Sequence, residues 1–187
     1  MPNWCSNTIV VNAADISKFK QWLGDGKALL SKIAATPQPL VDTVAGWSGI
    51  VDEQKQREAQ EQDNLLKYGS KNWYDWNVAN WGTKWDVDAE IDDYTSCDTE
   101  IIFSFASAWS PPTRAMQKLG ELFPNISIRH SYLEEGVGFV GVLTVEDGVV
   151  MDICHDDSNT DVWKQMAADE FGWEPWPDDA DTEVSDA

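Results

Sequence analysis

Between residues 73 and 92 the hydrophobic pattern changes period. Trp73, Trp76, Asn80 and Trp81 recur at the spacing of one helix face. Gly82 follows, where a residue in the left-handed region ends a helix without a Cβ clash. From Lys84 the period is two: Trp85, Val87, Ala89 and Ile91 point one way, and Asp86, Asp88, Glu90 and Asp92 the other. The stretch predicts a helix feeding directly into a strand, with tryptophans behind it and a ladder of carboxylates in front.

The same patterning places the other elements. A β-branched run over residues 7–12 predicts the first strand. Asp15 is placed to cap a helix carrying Ile16, Phe19, Trp22 and Leu23 on one face, and residues 28–35 read as a second helical piece before Pro37 and Pro39. Residues 52–68 are rich in helix formers but polar nearly all round, which marks a solvated arm or a helix that finds its partner elsewhere. Residues 99–109 form the most apolar strand, expected at the sheet centre. Ser110, with Pro111 and Pro112 behind it, reads as the N-cap of a helix over residues 113–123 that buries Met116, Leu119, Leu122 and Phe123. Strands follow at 126–133 and 138–145. Asp147 and Gly148 lie between two alternating runs and signal a type I′ hairpin pairing residues 142–145 with 149–153. A last helix is expected between Ser158 and Gly172, burying Val162, Trp163, Met166 and Phe171.

Four tryptophans within thirteen residues read most simply as a local core locking the helix onto a sheet, because each buries a large apolar area and needs one partner for its indole N–H. The alternative is an aromatic platform for stacking bases or sugars, which requires several rings exposed together. The segment Trp73-Tyr74-Asp75-Trp76-Asn77-Val78-Ala79-Asn80-Trp81-Gly82-Thr83-Lys84-Trp85-Asp86 resembles the signature of the YubB-like family of phage and plasmid proteins with a ferredoxin-like domain. Three further pieces match the same family: Met1-Pro2-Asn3-Trp4-Cys5-Ser6-Asn7, Ala108-Trp109-Ser110-Pro111-Pro112 and Tyr132-Leu133-Glu134-Glu135-Gly136. The resemblance spans residues 1–145. It implies an α+β fold, a ferredoxin-like βαββαβ sandwich with an antiparallel sheet, and an origin in a mobile element. The name denotes a topology and carries no iron–sulfur cluster. The family has no established reaction, so no catalytic residues follow from it; Trp73, Trp76, Trp81, Gly82 and Trp85 are its structural signature. The expected organisation is a ferredoxin-like domain over residues 1–172, an inserted loop and helical arm at 36–71, and an acidic, disordered tail at 173–187.

Composition changes the picture mainly through charge. The chain has 187 residues, 11 tryptophans and a net charge of −20. From Glu146 to the C-terminus there are 14 acids and one lysine, a net −13 that leaves −7 for the first 145 residues. Such a surface repels nucleic acid and anionic membranes and attracts basic protein surfaces. No run approaches a membrane span, and the start lacks the basic and apolar regions of a signal peptide, so a cytoplasmic protein is expected. Cys5, Cys97 and Cys154 are odd in number and share no metal-ligand spacing, so they read as buried thiols; neither a metal nor another cofactor is expected.

Alternate residues on a strand stand ~6.6–6.8 Å apart, close to the separation of successive phosphates on a nucleic-acid strand. Asp86, Asp88, Glu90 and Asp92, supported by Asp178, Asp179 and Asp181 in the tail, therefore form a candidate nucleic-acid mimic. The reading that follows is a non-catalytic, phage- or plasmid-encoded acidic protein. It engages, and inhibits, a basic host protein such as a nuclease or an anti-phage defence component. One alternative is a metal-dependent hydrolase of nucleotides or nucleic acid, which needs carboxylates converging on one point. Another is a virion or assembly component. Single-stranded RNA binding on the sheet is disfavoured, because acids are expected on the open face and no basic surround accompanies them.

Overall fold

Alternation along the first strand decides the layers. In β1 (Trp4–Asn12), Cys5, Asn7, Ile9 and Val11 are buried, while Trp4, Ser6, Thr8 and Val10 lie on the opposite face. The computed structural model describes residues 2–46, 51–94 and 96–174. After β1 come α1 (Ser17–Leu23), α2 (Leu29–Ile33), α3 (Gln38–Val41), α4 (Val51–Tyr68) and α5 (Trp73–Asn80). The rest of the chain forms β2 (Glu90–Ile91), β3 (Glu100–Ala108), α6 (Thr113–Leu122), β4 (Ser127–Glu134), β5 (Phe139–Glu146), β6 (Val149–His155) and α7 (Asp161–Phe171). The strands make one sheet in the order β2-β3-β1-β4-β5-β6, with every pairing antiparallel. Its first four members, 2-3-1-4, are the expected βαββαβ arrangement, and the β5–β6 hairpin extends it.

The main core lies on one face. Ile9, Val11, Phe103, Ile128 and Leu143 of the sheet meet Phe19 and Leu23 of α1, Leu29 and Leu30 of α2, and Met116 and Leu119 of α6. Gly120 lets α6 approach β5 so closely that a Cβ there would collide with the Val145 side chain. On the opposite face α7 packs Trp163 and Ala167 against Leu133 and Val140. That helix packs on β4 and β5. Across β1 and β3 the same face stays exposed at Ser6, Ser104 and Ala106.

Most predicted elements are present, including the helix in the arm, and the hairpin turn has φ of 49° at Asp147 and 76° at Gly148, as type I′ demands. The arm helix α4 is tied down by the buried Asn64, whose amide donates to Thr43 Oγ1 and to Lys71 O, both at 2.9 Å. Among the described residues no helix is long and apolar enough to cross a membrane.

Several expectations are corrected. The strand predicted from Lys84 shrinks to Glu90–Ile91. The backbone before it bonds to the α1–α2 connection instead, with Leu29 N donating to Val87 O and Ala89 N to Gly26 O, both at 2.9 Å. Burial alternates only from Asp86 onward, where Val87 and Ala89 reach the core. The apolar strand β3 is second from the edge, and β1 and β4 hold the centre. Ser110 does not cap α6: its hydroxyl donates to Gly82 O at 2.6 Å, and the cap position falls on Pro112. Of the three thiols expected to be buried only Cys5 is; Cys97 and Cys154 are exposed. Val162 faces solvent.

Candidate functional site

The predicted ladder does not form a row. Asp86 Oδ1 accepts from Leu30 N at 2.8 Å and from Val87 N at 2.9 Å, and Ser31 N also reaches this carboxylate. Asp88 Oδ1 accepts from Ala28 N at 2.9 Å, while Oδ2 pairs with Lys27 Nζ at 3.0 Å. These bonds, that from Ala28 N foremost, hold the Asp88 carboxyl below the usual aspartate range. The reason is local. Ala28, the cap of α2, has no side-chain oxygen to offer the amides at the start of that helix, so Asp86 accepts from Leu30 N and Ser31 N and Asp88 from Ala28 N, across the fold. Only Glu90 of the four lies on a strand and in the open, and Asp92 Oδ1 accepts from Tyr94 N at 3.0 Å. Asp178, Asp179 and Asp181 lie outside the described residues.

The tryptophan signature divides into two groups. Trp81 is buried, donates its indole N–H to Ala34 O at 2.8 Å, and meets Trp76 edge-on at 6.0 Å. Those two are the core that patterning predicts. Trp85 is 39% exposed, and it meets Trp4 (54%) and Trp109 (44%) from two distant parts of the chain. The Trp85 and Trp109 rings lie 6.4 Å apart at 27°, and Trp4 and Trp85 lie 6.2 Å apart. Three large rings are thus exposed together at one end of the open sheet face. Sequence reasoning read Trp85 as core and passed over Trp4, Trp109 and Lys84. The phase of β1 was the available signal: with Cys5, Ile9 and Val11 inward, Trp4 must face out.

Strand pairing and turn chemistry build this cluster. Trp4 opens β1 directly opposite Ala108, the last residue of β3. Trp109 follows with φ 67°, a conformation a bulky residue rarely adopts, and its N–H donates to Asn3 O at 2.9 Å. The strain has a cause. Ser110 precedes Pro111 and is steered away from the helical region, and its N–H already folds back onto Ala108 O at 2.9 Å. Hydroxyls then clamp the turn: Ser107 Oγ donates to Ser110 O and Thr83 Oγ1 to Ala108 O, both at 2.8 Å. Gly82, at φ 94°, completes the clamp, since a Cβ there would sit 3.1 Å from Pro111 O.

Lys84 sits amid the rings. Its Nζ lies 4.6 Å from the Trp85 centroid, 4.8 Å from Trp109, 5.8 Å from Tyr74 and 6.0 Å from Trp73. Beneath, a buried polar network fixes the strand ends. The Asn7 amide donates to Cys5 O at 2.8 Å and Ser107 Oγ at 2.9 Å, and its Oδ1 meets His130 Nε2 at 2.8 Å. Because Asn7 offers an acceptor there, the imidazole carries its proton on Nε2, and Nδ1 has no hydrogen-bond partner among the described residues. Burial pushes the His130 pKa down to about 3 and the Cys5 thiol up to about 12. Glu134, also buried, accepts from Gly136 N at 2.9 Å and Val137 N at 2.6 Å, closing the β4–β5 turn. Among the described residues no group of three His, Cys, Asp or Glu is placed to hold a metal ion.

Comparison with known proteins bears on the fold. The search of curated proteins returns no match. The crystal structure of the protein Api92 from Yersinia pseudotuberculosis superposes with a TM-score of 0.51, covering 86% of this chain and 99% of that one at 12% identity. At that identity the likeness shows a shared fold. Residues 80–172, which carry Trp81, Lys84, Trp85 and Trp109, match the family model described as the ferredoxin-like domain in Api92-like protein.

Proposed function

We propose that this chain is a non-catalytic binding protein, and that Trp4, Trp85 and Trp109 are its contact surface for a basic protein. The observation that carries the reading is the joint exposure of these three rings on a molecule of net charge −20. Tryptophan is enriched among the few residues that dominate binding energy at protein interfaces, and the acidic field supplies long-range attraction to a basic surface. With Asp86 and Asp88 engaged at α2, the interaction does not rest on imitating a row of phosphates. The resemblance to the phage- and plasmid-borne YubB-like family favours a host protein as partner. A basic host surface fits a nuclease or a component of anti-phage defence, with inhibition as the consequence of occupying its nucleic-acid cleft.

The test is affinity capture of the tagged full chain from bacterial lysate, run beside Trp85→Ala and Trp109→Ala and washed at low and high salt. A captured partner is then purified and titrated with each protein. The expected result is a basic partner whose affinity falls with salt and falls about tenfold or more with either substitution, the loss typical of an interface hot spot. A partner held equally by the tryptophan variants, or one whose affinity is unaffected by salt, overturns the proposal.

A further inference from the structure

We propose that the rings around Lys84 form a cation cage in which Lys84 is a displaceable occupant, and that an arginine guanidinium of the basic partner takes its place. The inference rests on the reading of the aromatic face as the contact surface for a basic protein, and it names the chemistry of the contact.

The geometry points this way on three counts. First, the cage is assembled from separate segments: Trp73 and Tyr74 from α5, Trp85 from the connection beyond it, and Trp109 from the strained turn after β3. Second, the Lys84 ammonium faces rings alone. It makes no ion pair or hydrogen bond among the described residues, whereas Lys27 pairs with Asp88 and Lys67 with Asp63. A lysine head is a compact, strongly hydrated charge, and ring faces replace its water poorly. A guanidinium is planar and weakly hydrated and stacks on aromatic faces, so the same cage suits it better. Third, the lysine is only half-buried and sits on a flexible stem, so it can swing into solvent as the guest enters. The charge of the whole molecule selects the sign of the guest: at −20 it favours a cation over a nucleotide. Lys84 then works as a gate that keeps the rings from gathering on other apolar surfaces and is displaced by a better cation.

The experiment uses the full chain labelled with 15N and three capped peptides of alternating glycine with arginine, lysine or citrulline. Binding is followed by calorimetry at low salt and by the indole N–H resonances of Trp85 and Trp109. The arginine peptide is expected to bind and to shift both resonances. The lysine peptide, equal in charge, is expected to bind more weakly, by up to the roughly thirtyfold that a whole desolvated cation–π contact is worth. Lys84→Met, which keeps the stem and removes the charge, is expected to tighten the arginine peptide, and Trp85→Ala to abolish its effect on Trp109. Equal binding of the lysine and arginine peptides overturns the inference. So does weaker binding by Lys84→Met, or stronger shifts of the same indoles by an oligothymidylate, which would assign the rings to bases. Tryptophan variants that release the captured partner while Lys84→Met holds it unchanged sink the cage and leave the proposed function standing. Tryptophan variants that retain the partner sink both.

Discussion

At the scale of single residues, the chain places strain and buried polarity around the aromatic face. Trp109 keeps its ring in position at φ 67°, a backbone state that costs a residue with a Cβ roughly 1–2 kcal/mol. Replacing the ring by alanine loses its contacts and keeps the strain, while glycine loses the contacts and relieves it. Denaturant titration is therefore expected to find Trp109→Gly more stable than Trp109→Ala by about 1 kcal/mol. The reverse order would mean that the turn relaxes once the ring is gone. His130 supplies a second prediction at this scale. Its pKa lies near 3 in the folded protein against an ordinary 6.5, so below pH 6.5 the unfolded chain takes up a proton that the folded one refuses. Stability is then complete above that pH and is lost as pH falls from 6.5 through about 3. The ring resonances of His130 should not titrate between pH 8 and 5, and a midpoint near 6.5 would show that the imidazole reaches solvent.

At the scale of elements, α2 depends on carboxylates that belong to another segment. Asp86 accepts from the amides of Leu30 and Ser31, so Asp86→Ala is expected to cost about 1 kcal/mol, the usual loss for a helix cap. Hydrogen exchange should show the loss concentrated in residues 29–33. Asp86→Asn keeps an acceptor and is expected to restore most of the protection. An Asp86→Ala variant as protected as the native chain would leave the aspartate without a capping role. The period-two pattern from Lys84 is a lesson in what such patterns report. It foretold burial at Val87 and Ala89, which reach the core, and failed at Trp85, which stays exposed. It did not foretell a strand, because backbone hydrogen bonds can go to any segment alongside, and here they go to residues 26–29. Ser110 teaches the same: Ser before Pro-Pro has the composition of a helix start, yet its hydroxyl found Gly82 O at 2.6 Å.

At the scale of the whole molecule, the charge of −20 acts on stability as well as on partners. Self-repulsion opposes the compact state, and raising salt from about 0.01 to 0.1 M shortens the screening length from ~30 to ~10 Å. The melting temperature is therefore expected to rise with sodium chloride over that range. A fall would show that attractive pairs such as Arg129 with Glu170 outweigh the net repulsion. By itself the sequence determined the order of the strands and of every helix but the short α3, the type I′ hairpin at Asp147 and Gly148, the polar character of α4 and the sign of the surface charge. Each is a local or additive property, set by side-chain period, turn chemistry and composition. Only the tertiary structure decided where the carboxylates and the rings would act. Asp86 and Asp88 turn toward α2 because that helix begins without a cap of its own. Trp4, Trp85 and Trp109 come together because the pairing of Trp4 with Ala108 brings the start of β1 to the end of β3. Such meetings depend on contacts between residues more than a hundred positions apart, such as Trp4 and Ala108, which no window along the chain contains.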